Sequence, residues 1–211
     1  MSGSTRPISD VTAVAWDFGN VLVRWDPYLA VRDILTEAQW EDFRGRSGFD
    51  ELNRRCDAGQ TRAAGVAELE RLDPWLAQVY GHYARNMGAS LAGEVPGTAD
   101  LVRALDERGV PQYGLTNWPA EDFHHAERHI AVLPVLAGVI ASGREGVAKP
   151  DPAIYRILVD RFGLEPAATL FVDDSAPNVR AALAQGFRAV RFQDARQLDA
   201  ELARLGLLPG P

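Results

Sequence analysis

The 211-residue chain reads as a doubly wound α/β protein, with a mostly parallel sheet and an inserted all-helical segment, on three observations. An apolar run, Val11 to Trp16, ends in the acidic Asp17 just before a glycine-containing turn. From Gly97 onward helix and strand patterns alternate, the order that builds a parallel sheet covered on both faces. Between Trp25 and Leu91 no strand pattern appears, and Ala, Leu, Glu and Arg recur at helical spacing.

Each element has its own local reason. Val11 to Trp16 is a buried strand by its continuous apolar character. The inserted segment divides at Gly and Asp-Pro signals into expected helices Pro27 to Leu35, Glu37 to Arg44, Phe49 to Ala58, Arg62 to Leu72 and Pro74 to Met87. Thr98 to Arg108 is helical, with Leu101, Val102 and Leu105 on one face and Gly109 as a stop, and Val110 to Leu115 is a short strand. Ala120 to His129 reads as a polar helix and Leu136 to Ala141 as the next strand. Asp151-Pro152 opens a helix that runs to Phe162 and stops at Gly163, because proline suits a first helical turn. A strand over Ala168 to Val172, a helix over Ala176 to Gln185 closed by Gly186, a strand over Phe187 to Val190 and a C-terminal helix complete the pattern.

Composition narrows the class. With 46% hydrophobic residues the chain can bury one substantial core. No apolar stretch is long enough to cross a bilayer, and Met1 to Asp10 is Ser/Thr/Pro-containing without a hydrophobic signal region, so it is expected to be a short disordered lead. The single Cys56 cannot form an internal disulfide and is expected to pack in the helical segment, and a cytoplasmic location follows. A formal net charge of −7 argues against nucleic-acid or membrane-surface partners, which favour basic patches.

Open α/β sheets place their chemistry outside the carboxyl ends of the strands, which is where Asp17 falls. Three later segments share its layout: Tyr113-Gly114-Leu115-Thr116-Asn117, Ala148-Lys149-Pro150-Asp151-Pro152, and Thr169-Leu170-Phe171-Val172-Asp173-Asp174. Alone, each has a plainer reading. Asp17 and the Thr116-Asn117 pair can be turn residues, Asp173, Asp174 and Ser175 can cap the following helix, and Lys149 can be a surface lysine. Two adjacent carboxylates without a compensating cation repel each other, however, and a bound metal resolves that.

In this order and spacing the four segments resemble the motifs of the haloacid dehalogenase-like hydrolase superfamily, most of whose members are Mg-dependent phosphatases, over Val11 to Phe192. The combination Asp-Phe-Gly-Asn-Val-Leu, Leu-Thr-Asn-Trp and Phe-Val-Asp-Asp is similar to a bacterial subgroup that includes sugar-phosphate phosphatases such as the α-glucose-1-phosphate phosphatases. The resemblance implies a core over residues 11–24 and 92–211 and a helical cap over 25–91. It implies that Asp17 is a nucleophile that becomes an aspartyl phosphate, and that Mg²⁺ is held by Asp17, the Gly19 carbonyl and Asp174. Asp173 would orient Lys149 or hold a metal-bound water. Thr116 and Asn117 would position the phosphoryl oxygens, and Lys149 would supply positive charge to them. A small phosphate ester, possibly a sugar phosphate, is the expected substrate, and the protein a monomer or homodimer.

The chain departs from the commoner pattern at Gly19, where many phosphatases of the superfamily carry a second Asp that protonates the leaving alkoxide and later deprotonates water. The loss is expected to matter least where the leaving group is stabilised without full protonation, as for a sugar 1-phosphate or an acyl phosphate; a proton from substrate, from water or from a cap residue is the other route, and a mutase is disfavoured. The competing enzyme reading is a metal-free 2-haloacid dehalogenase, also using Asp17 as nucleophile. Such enzymes carry Ser at the positions of Asp173 and Asp174 and Thr at that of Val21. A catalytically weak phosphometabolite-binding module is the remaining alternative. Trp25 and Trp118 follow the first and second motifs and are candidate apolar walls or stacking surfaces for substrate, or packing residues where cap and core meet. His124 and His125 are adjacent on a helix and make a poor metal pair, and all four histidines are expected at the surface or an interface.

Overall fold

A computed structural model describes residues 10–209. The expected N-terminal lead lies outside the described residues except for Asp10, which pairs with Arg188 at 3.4 Å. The strands in chain order are β1 (Ala13–Trp16), β2 (Val23–Trp25), β3 (Leu91–Glu94), β4 (Gln112–Thr116), β5 (Gly138–Ala141), β6 (Thr169–Asp173) and β7 (Arg188–Arg191). Five of them form a parallel sheet in the order β5-β4-β1-β6-β7. The chain winds outward on one side of β1 and then returns to build β6 and β7 on the other. The point where the winding reverses, between β1 and β6, is where open α/β sheets leave a crevice.

Strand periodicity explains the two layers. Val14 and Trp16 of β1, with Leu170 and Val172 of β6, face one hydrophobic cluster with Val102, Leu105, Leu198 and Leu202. Ala15 and Phe171, one residue out of phase, face a second cluster with Ile154, Tyr155, Leu158 and Phe187. The first face is covered by α5 (Thr98–Glu107) and α10 (Ala195–Arg204), and the second by α8 (Pro152–Phe162) and α9 (Ala176–Ala184). Two shorter helices, α6 (Phe123–His129) and α7 (Ser142–Glu145), follow β4 and β5.

Four helices lie between β1 and the rest of the sheet: α1 (Glu37–Ser47), α2 (Phe49–Asp57), α3 (Arg62–Leu72) and α4 (Pro74–Arg85). Thr36 and Gln39 form a reciprocal capping box at the start of α1. Gly48, in the left-handed region with φ 62°, ends α1 and begins α2, a turn that a residue with a Cβ would adopt only under strain. Trp40, Phe43, Phe49, Tyr80 and Tyr83 form the interior of this layer, with Phe49 edge-on to both Trp40 and Tyr83 at centroid distances of 4.9 Å. These rings belong to the same buried cluster as Val14 and Trp16, so the inserted helices share a continuous core with the sheet.

Two local expectations are corrected. Pro27 to Leu35 was expected as a helix, but only a single 3₁₀ turn, Pro27–Ala30, forms, and the chain leaves helical geometry at the β-branched Val31 (φ −130°). The antiparallel ribbon of β2 and β3 is absent from the sequence reading, because strands of three and four residues carry too little alternation to register. That ribbon ties the entry and exit of the helical insertion together beside Asp17.

Candidate active site

The carboxyl end of the sheet gathers the charged residues. Asp17 follows β1, Asp173 ends β6, Asp174 follows it, and Thr116 ends β4. Asp17 is 8% exposed, and its Oδ1 accepts the Phe18 N–H at 2.7 Å. Lys149 comes from the loop before α8, and its side chain is fully buried. Its ammonium donates to the Leu115 carbonyl at 2.7 Å, to Asp17 Oδ1 at 2.9 Å and to Asp173 Oδ2 at 2.7 Å. All three ammonium donors are therefore spent on protein oxygens.

That lysine is held from behind. Asn117 donates through Nδ2 to the Lys149 carbonyl at 2.9 Å and accepts the Lys149 N–H on Oδ1 at 2.8 Å. Asp173 is pinned by the Ser175 N–H at 2.8 Å and by Asn178 Nδ2 at 3.1 Å to both oxygens. The Thr116 hydroxyl is buried with no hydrogen-bond partner, a donor left open at the end of β4.

Asp17, Asp173 and Asp174 each offer a carboxylate oxygen, and these oxygens lie within 4.8 Å of one another. Three carboxylates against the single Lys149 ammonium leave a formal −2 in a buried place. Burial pushes the Asp17 carboxyl up, opposed by Lys149 and reinforced by Asp173 and Asp174. Asp174 is likewise raised, first by burial and then by Asp173. Hard oxygen donors carrying excess negative charge are the donor set that a divalent cation such as Mg²⁺ prefers, so these residues fit one.

Above the acidic cluster is a cavity of about 250 Å³. Asp17, Gly19, Asn20, Asn117 and Asp174 line it from the sheet edge, and Trp25 and Trp118 form apolar walls. The Trp118 indole nitrogen is buried without a partner. Lys149, Asp173 and Thr116 sit behind this surface, buried rather than lining the cavity. The four histidines, exposed or half-buried, take no part in it.

Beyond Trp25, the helical insertion also contributes Asn53, Asp57, Arg62, Tyr83 and Met87 to the cavity lining, none of which is distinguished in the sequence. Arg62 is the hub. Its guanidinium donates to Asp122 Oδ2 through Nε at 3.1 Å and Nη2 at 2.9 Å, and through Nη1 to Asn53 at 2.9 Å and the Tyr80 hydroxyl at 3.2 Å. Cys56 is buried as expected, with its sulfur 3.4 Å from the Tyr80 hydroxyl. On an amphipathic helix a charged residue ordinarily marks the solvated face, so neither Asp57 nor Arg62 carries a signal of its own. Asn178 does carry one: an amide in the first turns of the helix after β6 can fold back onto Asp173.

A parallel sheet whose carboxyl edge gathers acidic groups around one buried lysine, beneath a helical insertion, defines a doubly wound α/β hydrolase. The chain belongs to the haloacid dehalogenase-like hydrolase family, whose model matches residues 11–186. It is 29% identical over 201 residues to a sesquiterpene phosphatase of Aspergillus oryzae, covering 92% of this chain and 95% of that one. A phosphoglycolate phosphatase of Pseudomonas putida is 30% identical over 174 residues, 78% of this chain but only 63% of the longer relative. Among solved structures, a family enzyme of Bacteroides thetaiotaomicron superposes with a TM-score of 0.70 at 18% identity, over 89% of this chain and 98% of that one. That enzyme has also been solved in complex with magnesium and inorganic phosphate. No helix among the described residues is long and apolar enough to cross a membrane.

Proposed function

We propose that the protein is a Mg²⁺-dependent phosphatase that hydrolyses a small phosphate monoester through an aspartyl phosphate at Asp17. The observation that carries this reading is the convergence of three carboxylates within 4.8 Å around a fully buried lysine, at the floor of a cavity between sheet edge and helical insertion. Asp17, Asp174 and the Gly19 backbone would hold the ion, which when bound supplies the positive charge that lets an anionic ester approach a carboxylate. The Phe18 N–H and Lys149 fix one Asp17 oxygen, leaving the other to face the cavity and attack phosphorus in line. The Thr116 hydroxyl, buried behind the cavity surface with no protein partner, has no contact with the phosphoryl group in this reading. Asn117 and Asp173 act through Lys149, whose position they set.

The helical insertion serves as the cap that excludes water and selects substrate. Trp25, Tyr83, Met87 and Trp118 favour an ester whose body presents an apolar face, which a sugar ring offers by stacking and a compact hydrocarbon offers throughout. The dehalogenase reading is disfavoured by the residues themselves. Asp173 and Asp174 stand where that branch carries Ser, and the buried Val21 stands where it carries Thr.

The test is a panel of phosphate monoesters with Mg²⁺, repeated with chelator and with Asp17→Asn, beside a 2-haloacid panel scored for halide release. Phosphate release that needs both Mg²⁺ and Asp17 is the expected result. Halide release that persists in chelator would instead establish the dehalogenase.

A further inference from the structure

We propose that Asp57 is the proton donor to the leaving group and the proton acceptor from the attacking water, a role the chain cannot fill at Gly19. The inference rests on the phosphatase reading and concerns a residue of the helical insertion.

Three observations on Asp57 point the same way. It lines the cavity that also exposes Asp17 and Gly19, reaching it from the inserted-helix side. It is 9% exposed, yet its carboxyl makes no hydrogen bond or ion pair with any described residue. It is also the last residue of α2, where the carbonyl end of a helix disfavours negative charge. A buried, unpaired carboxyl at that end of a helix costs stability on every count and has no packing reason to be there. Carboxyls kept in such places are protonated near neutral pH, and that is what an acid catalyst needs.

The surroundings support this state. Burial is the main influence and pushes the Asp57 carboxyl up to about 7, with Arg62 and Lys149 pulling it down and Asp122 pushing it up. Arg62 does not neutralise it by a direct bond: four of its five N–H donors go to Asp122, Asn53 and Tyr80, and none goes to Asp57.

The chemistry balances in two halves. As an Asp17 oxygen bonds to phosphorus, the bond from phosphorus to the ester oxygen breaks and its electron pair stays on that oxygen. The oxygen takes the Asp57 proton, giving the alcohol, the aspartyl phosphate and an Asp57 carboxylate. Water then attacks phosphorus while Asp57 accepts one of its protons, and the bond to Asp17 breaks. Inorganic phosphate leaves, and Asp17 carboxylate and Asp57 carboxyl are restored.

The experiment compares an alkyl phosphate, whose alkoxide needs a proton to leave, with p-nitrophenyl phosphate, whose phenolate does not. In Asp57→Asn, kcat/KM for the alkyl ester should fall on the order of 10²–10⁴-fold, the range for a lost general acid. Rapid-quench measurement with p-nitrophenyl phosphate should keep a full burst of one p-nitrophenol per site, followed by slow turnover as the aspartyl phosphate accumulates. Asp57→Ser, run in parallel, removes the same proton with a smaller side chain, so the result does not depend on one variant folding.

Restoring a carboxyl from the other side is the complementary arm. A Cβ built on Gly19 meets nothing within 4 Å, so Gly19→Asp meets no clash at its first carbon. Placed in the Asp57→Asn background, it should recover about tenfold or more of the alkyl-ester turnover. Retention of alkyl-ester turnover within about twofold in both Asp57 variants, or loss of the p-nitrophenol burst along with it, overturns the assignment. If the unaltered protein releases phosphate from neither ester, the phosphatase reading itself fails, a result distinct from an active protein indifferent to Asp57.

Discussion

Removing one partner of the Arg62–Asp122 pair should destabilise the whole molecule, far more than breaking any ion pair on its surface. The two side chains are 6% and 8% exposed, and they join the start of α3 to the segment between β4 and α6. Either single truncation leaves the other charge buried without its partner, which costs about 3–5 kcal/mol. Replacing both by apolar residues of similar volume costs far less, because the desolvation penalty of both ions disappears with their attraction. The cycle is Arg62→Met, Asp122→Leu and the double variant, read by urea unfolding. Each single variant should lose about 3–5 kcal/mol, and the double variant should be more stable than the sum of the two losses predicts. Asp100→Ala is the internal control: it breaks the exposed pair with Arg103, at 82% and 51% exposure, and should cost under about 1 kcal/mol. One transition is expected throughout, since the inserted helices share a hydrophobic cluster with the sheet. Single losses no larger than the control, or additive losses in the double variant, would refute the claim that this pair acts as a buried unit.

Mg²⁺ at a hundredfold excess over its dissociation constant should stabilise the protein by about 2.7 kcal/mol, and the shift in thermal midpoint should shrink in Asp174→Asn; an equal shift in both would place the ion elsewhere. Stability should depend on pH through Asp57, measured as the difference between the unaltered protein and Asp57→Asn. The folded carboxyl at about 7 keeps a proton that the unfolded chain gives up near 3.8, so the unaltered protein should lose ground from pH 4 to 7. The ceiling on that loss is about 4 kcal/mol, flat above pH 7, and a difference independent of pH would contradict the raised value.

The centre of the sheet was legible because β1 and β6 are buried along their whole length and run into acidic residues. Val11 to Trp16 and Thr169 to Val172 announce themselves by apolar continuity, and the acidic residues that follow them mark the edge at which the winding reverses. Lys149 was legible only through its place among four ordered segments, since nothing local distinguishes a buried lysine from a surface one. The insertion was harder to read. Its helices follow from caps such as Thr36 and Gly48, whereas the β2–β3 ribbon depends on two short stretches, far apart in sequence, that only the folded chain pairs. Asp57 and Arg62 were invisible for a related reason: each is a charged residue at a helix end, which in sequence reads as solvated, and only the folded chain turns it to the cavity.

The charge balance of the site is what favours the proposed phosphoryl chemistry over a metal-free attack on carbon. A metal-free attack on carbon needs one carboxylate made nucleophilic and held by a nearby cation, and a single lysine balances that. Here one lysine faces three carboxylates, and all its donors are already spent on Asp17, Asp173 and Leu115. The other cation lining the cavity, Arg62, has its guanidinium turned to Asp122, Asn53 and Tyr80. Lys149 has no donor left over and Arg62 keeps a single Nη2 N–H, so an incoming dianion would meet far more repulsion from the acidic cluster than attraction. Under the phosphatase reading, an anionic ester would need further positive charge between the carboxylates and itself. In the proposed phosphatase a divalent ion held by the acidic cluster would supply that charge, whereas a metal-free dehalogenase would leave the cluster unbalanced.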